Sequence, residues 1–206
     1  LCYCFTPMRY AWTFADEYFG RHTPLRMAVS PVLAALRHWD RTTAGRVDRF
    51  ATISRHVRDR IWQAYERDAD IVYPPVRLDF FTPAPSSAAR VPAEPYDLAV
   101  AALVPYKRLD LAVRVCSRLG RRLLIVGVGS ELARLRRRAG PSVQFLGSVS
   151  DNDLRELYRG CRCLVFPGEE DFGLAPVEAQ ACGRPVVAYA RGGATESVVD
   201  GETGVL

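Results

Sequence analysis

The chain predicts an α/β protein built on parallel sheet with helices on both faces. Three observations carry that reading. From Leu98 to Ala188, short apolar runs alternate with amphipathic, helix-spaced segments, as repeated strand–helix units do. The loops joining them are short and bear glycine, which suits parallel strands returning through crossover helices. One stretch breaks the pattern: Pro83, Pro85, Pro92 and Pro95 stand among Ser and Ala, a linker composition that divides the chain. The expected organisation is a leading unit over 1–78, a linker over 79–96 and a trailing unit over 97–206.

The elements follow in order. Residues 2–6 read as a short strand ended by Pro7. Residues 13–20 and 27–42 have helical spacing, with Met27, Val32, Leu33, Leu36 and Trp39 on the apolar side. Pro31 fits near the start of that second helix or at a kink. Phe50–Ser54 reads as a strand, after which Ser54 can cap a helix from Arg55 to Glu66. Asp70–Tyr73 is a strand closed by Pro74 and Pro75. Beyond the linker, strands are expected at 98–102, 123–126, 143–146, 163–166 and 186–188. Helices are expected at 108–118, 130–139, 151–160 and 175–182, with a short one after Gly192-Gly193.

Composition narrows the function. Hydrophobic residues make up 49% of 206 and charged residues 25%, enough apolar material for a packed soluble core. No apolar run approaches the ~20 residues of a membrane-spanning helix. The start lacks a basic leader with a long apolar stretch, and also an initiator Met. Both ends read as lying inside strands, so the chain is expected to be a piece of a longer one. The formal charge of +5 suits a basic soluble surface or attraction to phosphates or an anionic membrane face. Basic residues are scattered among acidic ones, which argues against a nucleic-acid partner. The cluster Arg134, Arg136, Arg137 and Arg138 reads as a solvated helix face.

Six cysteines stand at 2, 4, 116, 161, 163 and 182. The C-x-C pairs do not have the C-x-x-C spacing of zinc or redox sites. In a strand each pair would share one buried face, so reduced thiols in a cytoplasmic protein are expected. The three histidines all precede residue 57, and no metal site is expected. Of 28 basic residues only Lys107 is a lysine. Against that background, the position suits a compact ammonium rather than a planar guanidinium.

In parallel sheets ligands bind outside the carboxyl ends of strands. Gly127-Val128-Gly129-Ser130-Glu131 follows one such strand, and its glycines either let backbone approach an anion at the next helix or simply make a tight turn. It lacks the third glycine of the dinucleotide fingerprint, since position 132 is Leu, and the next strand ends in Leu146-Gly147 without a ribose-binding acid. That argues against a nicotinamide enzyme. Glu169-Glu170-Asp171-Phe172-Gly173-Leu174-Ala175-Pro176-Val177-Glu178 follows another strand, with Glu170 and Glu178 eight positions apart. Two carboxylates can accept hydrogen bonds from the hydroxyls of a sugar or ribose. A solvated acidic loop is the plain alternative.

This segment resembles the E-x7-E motif of the retaining glycosyltransferases of family four, which have the two-domain GT-B fold. Leu103-Val104-Pro105-Tyr106-Lys107-Arg108 resembles that family's lysine loop. Phe145-Leu146-Gly147-Ser148-Val149-Ser150 resembles its base-contacting strand and turn, and Gly192-Gly193-Ala194-Thr195-Glu196 its late glycine loop. Arg55–Arg60 and Tyr73-Pro74-Pro75-Val76 match the stretch that leads into its linker. Cys4-Phe5-Thr6-Pro7-Met8-Arg9-Tyr10-Ala11-Trp12 is similar to bacterial O-antigen mannosyltransferase-like members.

The resemblance implies a Rossmann-like C-terminal donor domain and a truncated part of an N-terminal Rossmann-like domain. It implies that Lys107 neutralises the donor diphosphate and Glu170 holds hydroxyls of the transferred sugar, beside the amides of Phe172, Gly173 and Leu174. Glu178 would bind the ribose, Gly127 and Gly129 would line the nucleotide pocket, and Val149 would meet the base through its backbone. The implied reaction moves a hexose, mannose from GDP-mannose, to a lipid-linked saccharide in surface polysaccharide synthesis. It needs no metal or other cofactor and takes place at the inner face of the membrane. Two positions depart from the family: its usual Arg before the Lys is missing from Ala101-Ala102-Leu103, with Arg108 as a substitute, and its usual His is Phe5. These departures favour a second expectation, a degenerate domain that binds nucleotide-sugar without transferring it. A third is another GT-B enzyme, such as a sugar-nucleotide epimerase. An aromatic stretch, Tyr10, Trp12, Phe14, Tyr18 and Phe19, fits either core packing or peripheral membrane contact.

Overall fold

A computed structural model describes residues 1–85 and 94–206. The chain forms two compact units, Leu1–Pro74 and Pro75–Leu206.

The leading unit holds a three-stranded parallel sheet, β1 (Cys2–Cys4), β2 (Phe50–Thr52) and β3 (Ala69–Ile71), in the order β1-β2-β3. Helices α1 (Arg9–Trp12), α2 (Ala15–Phe19) and α3 (Pro24–Ala44) connect β1 to β2, and α4 (Arg55–Tyr65) connects β2 to β3. The Ser54 side chain accepts from the Val57 amide at 3.0 Å, the expected cap. α3 starts three residues earlier than its apolar spacing suggests. Thr23 caps it and Pro24 takes the first turn, where a missing N–H costs nothing. Pro31 therefore lies inside the helix rather than near its start. The aromatic stretch divides: Phe14 is buried, and Trp12 donates to Asp40 at 2.7 Å, whereas Tyr10 and Tyr18 are exposed.

The trailing unit holds a six-stranded parallel sheet. Its strands are β4 (Asp97–Val100), β5 (Leu123–Val126), β6 (Val143–Gly147), β7 (Leu164–Phe166), β8 (Val186–Ala188) and β9 (Gly204–Val205). The order β6-β5-β4-β7-β8-β9 reverses direction at β4. Helices α5 (Leu109–Leu119), α6 (Leu132–Arg138), α7 (Asp151–Gly160), α8 (Leu174–Ala181) and α9 (Ala194–Ser197) fill the crossovers. All four residues of β5 are buried. Leu123 and Ile125 face a cluster with Val113 and Leu135, while Leu124 and Val126 face another with Leu98, Tyr158 and Leu164. Alternation thus supplies two cores, one on each sheet face.

At the amino end of β4, the nearly buried Asp97 accepts two hydrogen bonds from Arg121, at 2.8 and 2.9 Å, and one from Arg162 at 3.2 Å. Burial pushes its pKa up, but the two guanidiniums outweigh burial and hold it below the usual carboxylate value. β7 begins at Leu164, so Cys161 and Cys163 lie in the turn before the strand rather than on one strand face. Cys161 is buried and Cys163 only partly so; all six cysteines are free thiols.

The linker expected over 79–96 is not one open stretch. Phe81 and Tyr96 are buried in the core of the trailing unit, and Val76 and Phe80 pack against it. Residues 86–93, with Pro92, lie outside the described residues. The division falls between Pro74 and Pro75, ahead of the expected boundary at 78/79, because the aromatic pair beyond it has an apolar surface to bury.

Candidate functional site

β4 and β7 are neighbours at the point where strand order reverses, and each is followed by a loop that carries a charged side chain. After β4 the chain runs to a single 3-10 turn, Pro105–Lys107, and Arg108 takes a left-handed conformation before α5 begins. After β7, Gly168 brings its backbone against that turn: a Cβ there would lie 2.8 Å from the Cα of Lys107. This close approach sets the reach of Lys107. Its ammonium pairs with the Glu170 carboxylate, with side chains only 17% and 9% exposed. The ammonium also lies 5.3 Å from the Tyr106 ring centroid, within cation–π range.

Glu170 is fixed from a second side. Its backbone bridges to Gly192, and its carbonyl accepts from the Gly193 amide at 2.8 Å. A Cβ on Gly192 would come within 2.4 Å of the Glu170 carbonyl, and one on Gly193 within 2.3 Å of the Phe172 Cα. The late glycine loop is therefore the seat on which the acidic loop rests. Phe172 is buried, Gly173 (φ +89°) is the residue that leads into α8, and Leu174 is exposed. The first-turn amides of α8 have no acceptor within their own helix.

Glu178 stands one turn into α8. The fully buried Tyr158 hydroxyl donates to its Oε2 at 2.9 Å. Burial raises the Glu178 pKa; the Tyr158 hydrogen bond and the Arg77 charge oppose the rise without cancelling it. The structure thus brings Lys107 and Glu170 into direct contact and sets Glu178 on the helix that follows, with its own partner. Arg108 turns to Asp110 at 3.2 Å. Gly127 and Gly129 serve close backbone packing: a Cβ on either would strike the carbonyl of Ala101 at 1.9 Å or of Leu103 at 2.4 Å. Val149 packs its side chain on the core beside α7, and Ser150 caps that helix.

Sequence reasoning missed Tyr158. A tyrosine on the apolar face of α7 reads as core, and no spacing signal links it to an acid 20 positions away.

Residues 86–206 match the family of glycosyl transferases group 1. The chain belongs to that family. Among the curated relatives of this group 1 glycosyltransferase chain is the D-inositol 3-phosphate glycosyltransferase of Mycolicibacterium smegmatis, 43% identical over 154 residues, covering 66% of this chain and 36% of that protein. Its counterpart from Mycobacterium bovis is 42% identical and is covered over 32% of its length. The chain thus spans about a third of the curated relatives it matches. Among solved structures, sucrose-phosphate synthase from Thermosynechococcus elongatus superposes with a TM-score of 0.75 at 23% identity, covering 95% of this chain and 53% of that one. Anabaena Alr3699/HepE, solved with UDP-glucose, gives 0.74 at 23% identity over 82% of this chain and 52% of its own. The likeness shows the fold: GT-B, with a Rossmann-like C-terminal domain. The family resemblance is borne out at the level of a GT-B glycosyltransferase.

Proposed function

We propose that this chain carries the donor site of a glycosyltransferase that moves a hexose from a nucleoside-diphosphate sugar to a hydroxyl acceptor with retention at the anomeric carbon. One observation carries the reading: the Lys107–Glu170 pair joins the loops at the carboxyl ends of the adjacent strands β4 and β7, and the Glu170 loop opens the helix bearing Glu178. Breaking the sugar–phosphate bond builds negative charge on the departing diphosphate. Lys107 and the first-turn amides of α8 are fixed charge and dipoles that stabilise this charge more than the ground state. Glu170 accepts hydroxyls of the sugar and Glu178 those of the ribose. No side chain is assigned as nucleophile, and no metal is assigned to the diphosphate.

The resemblance points to GDP-mannose as donor and a lipid-linked saccharide as acceptor, at the inner face of the membrane. The names of the curated relatives point to an inositol phosphate acceptor instead. Six free thiols suit a reducing, cytoplasmic compartment.

Calorimetry with GDP-mannose, UDP-glucose and GDP tests the donor site. One donor is expected to bind, and Lys107→Ala to weaken it at least about tenfold. Failure of all three to bind, or indifference to Lys107→Ala, overturns the reading. The non-transferring alternative draws on Phe5, 59% exposed with its ring against Tyr3, and on the small side chain of Ala102. Binding without turnover, in a chain extended to the length of its relatives, would select it.

A further inference from the structure

Tyr158 sits at 0% exposure on the inner face of α7, its ring edge-to-face with Phe81 at a centroid distance of 5.8 Å. Its cluster includes the apolar side chains of Leu98, Leu164, Ala179 and Val186. A buried phenol needs a hydrogen-bond partner. Tyr96, in the same core, uses a backbone carbonyl, that of Leu157, at 2.9 Å. Tyr158 instead donates to an ionisable side chain, Glu178. Burial and the Glu178 charge push the Tyr158 pKa far above its ordinary value, so the hydroxyl is always a donor. A Gln at 178 would accept the same bond without carrying the charge that burial opposes. A carboxylate kept there despite burial suits work beyond holding the core together. One fixed bond to Oε2 orients it and leaves Oε1 to accept from a ligand.

We propose that Tyr158 is a positioning residue of the donor site: its hydroxyl fixes Glu178 to receive ribose hydroxyls, which makes Tyr158 a determinant of ribose over deoxyribose. This rests on the reading of Glu178 as the ribose ligand, and the test separates the two.

Calorimetry would compare UDP or GDP, whichever binds, with its 2′,3′-dideoxy counterpart. The unaltered chain is expected to prefer the ribonucleotide by about tenfold or more, the scale of a hydrogen bond to a charged group. Glu178→Gln reduces that preference. Tyr158→Phe keeps the ring packing and should bring the preference close to unity while leaving dideoxynucleotide affinity unchanged. Tyr158→Leu supplies a second hydroxyl-free side chain, and thermal melts report the fold of each variant. A purely structural Tyr158 would weaken both nucleotides equally and leave their ratio intact. If Glu178→Gln loses the preference and Tyr158→Phe retains it, the positioning role is overturned and the ribose reading stands. If the unaltered chain binds neither nucleotide, or shows no preference, the ribose reading itself fails.

Discussion

Lys107 presents a compact ammonium to closely set groups. The side chain is largely buried, paired with Glu170 and set beside the Tyr106 ring. An arginine carries the same charge on a longer, planar head with different donor geometry. Lys107→Arg is therefore expected to fail almost as badly as Lys107→Ala, with kcat down about 10²–10³-fold in each, the scale of a lost transition-state donor. Steady-state turnover with saturating donor checks this; full activity in the arginine variant would sink the assigned role. Glu178 makes a pH prediction. Its folded pKa is raised, and only the ionised carboxylate is a pure acceptor. Donor affinity should hold above that raised pKa and fall as pH drops through it. The stability sign is opposite. A carboxyl whose pKa is raised on folding favours the folded state at low pH and loses that contribution as pH rises. Glu178→Gln is thus expected to raise Tm at neutral pH while weakening nucleotide binding. Melts and titrations on the same samples read both effects. Lys107 was legible because it is the only lysine in the chain, whereas Tyr158 depends on a cross-helix contact that no single-chain periodicity encodes.

Elements were legible where one signal dominated. The spacing of apolar residues places β5, α7 and β8 at the bounds seen, and Ser54 announces α4. Misplacements arose where two signals competed. Pro31 suggested a helix start, yet Thr23 and Pro24 already provide a cap and first turn. Cys163 suggested strand, yet the Asp97–Arg162 contact belongs to the turn before β7. The two G-x-G glycines illustrate the same limit. Sequence allows either approach to a ligand or a tight turn; the structure adds that backbone is pressed against backbone at both, with φ +134° for Gly127. Gly127→Ala combines a clash with a fixed carbonyl and an unfavourable φ, and should cost roughly 3 kcal/mol. Gly147 has φ +72° with nothing within 4 Å of an added Cβ, so Gly147→Ala should cost only about 1 kcal/mol. Urea midpoints of the two variants should differ clearly. Equal losses would mean that conformational strain, not crowding, governs both positions.

At the scale of the whole molecule, composition located a linker but not the edge of the packed unit, because proline marks where a helix cannot run and says nothing of which flanking aromatics find a surface. Phe81 and Tyr96 bracket the stretch, and both are buried. α7 holds the leading side: Arg159 donates to the Thr82 carbonyl and hydroxyl, each at 2.7 Å, and Arg77 pairs with Asp151 at 2.7 Å. Arg77 and Arg155 each lie 4.6 Å from the Phe80 ring centroid. A chain cut to 75–206 keeps all of this and is expected to unfold cooperatively. A chain cut to 97–206 follows the composition boundary and loses both buried aromatics. Removing a buried Phe costs about 3–5 kcal/mol, a large share of the 5–15 kcal/mol that stabilises a typical domain. The shorter chain should therefore show a lower urea midpoint and a weakened near-ultraviolet aromatic signal. The loss reaches the candidate site as well, since Phe81 packs directly on the Tyr158 ring whose hydroxyl holds Glu178. Phe81→Ala in the 75–206 chain separates the two consequences. It should lower stability and also reduce nucleotide affinity at temperatures where the protein remains folded. Equal stability of the two truncated chains would show that the burial of Phe81 and Tyr96 adds nothing to the unit's stability.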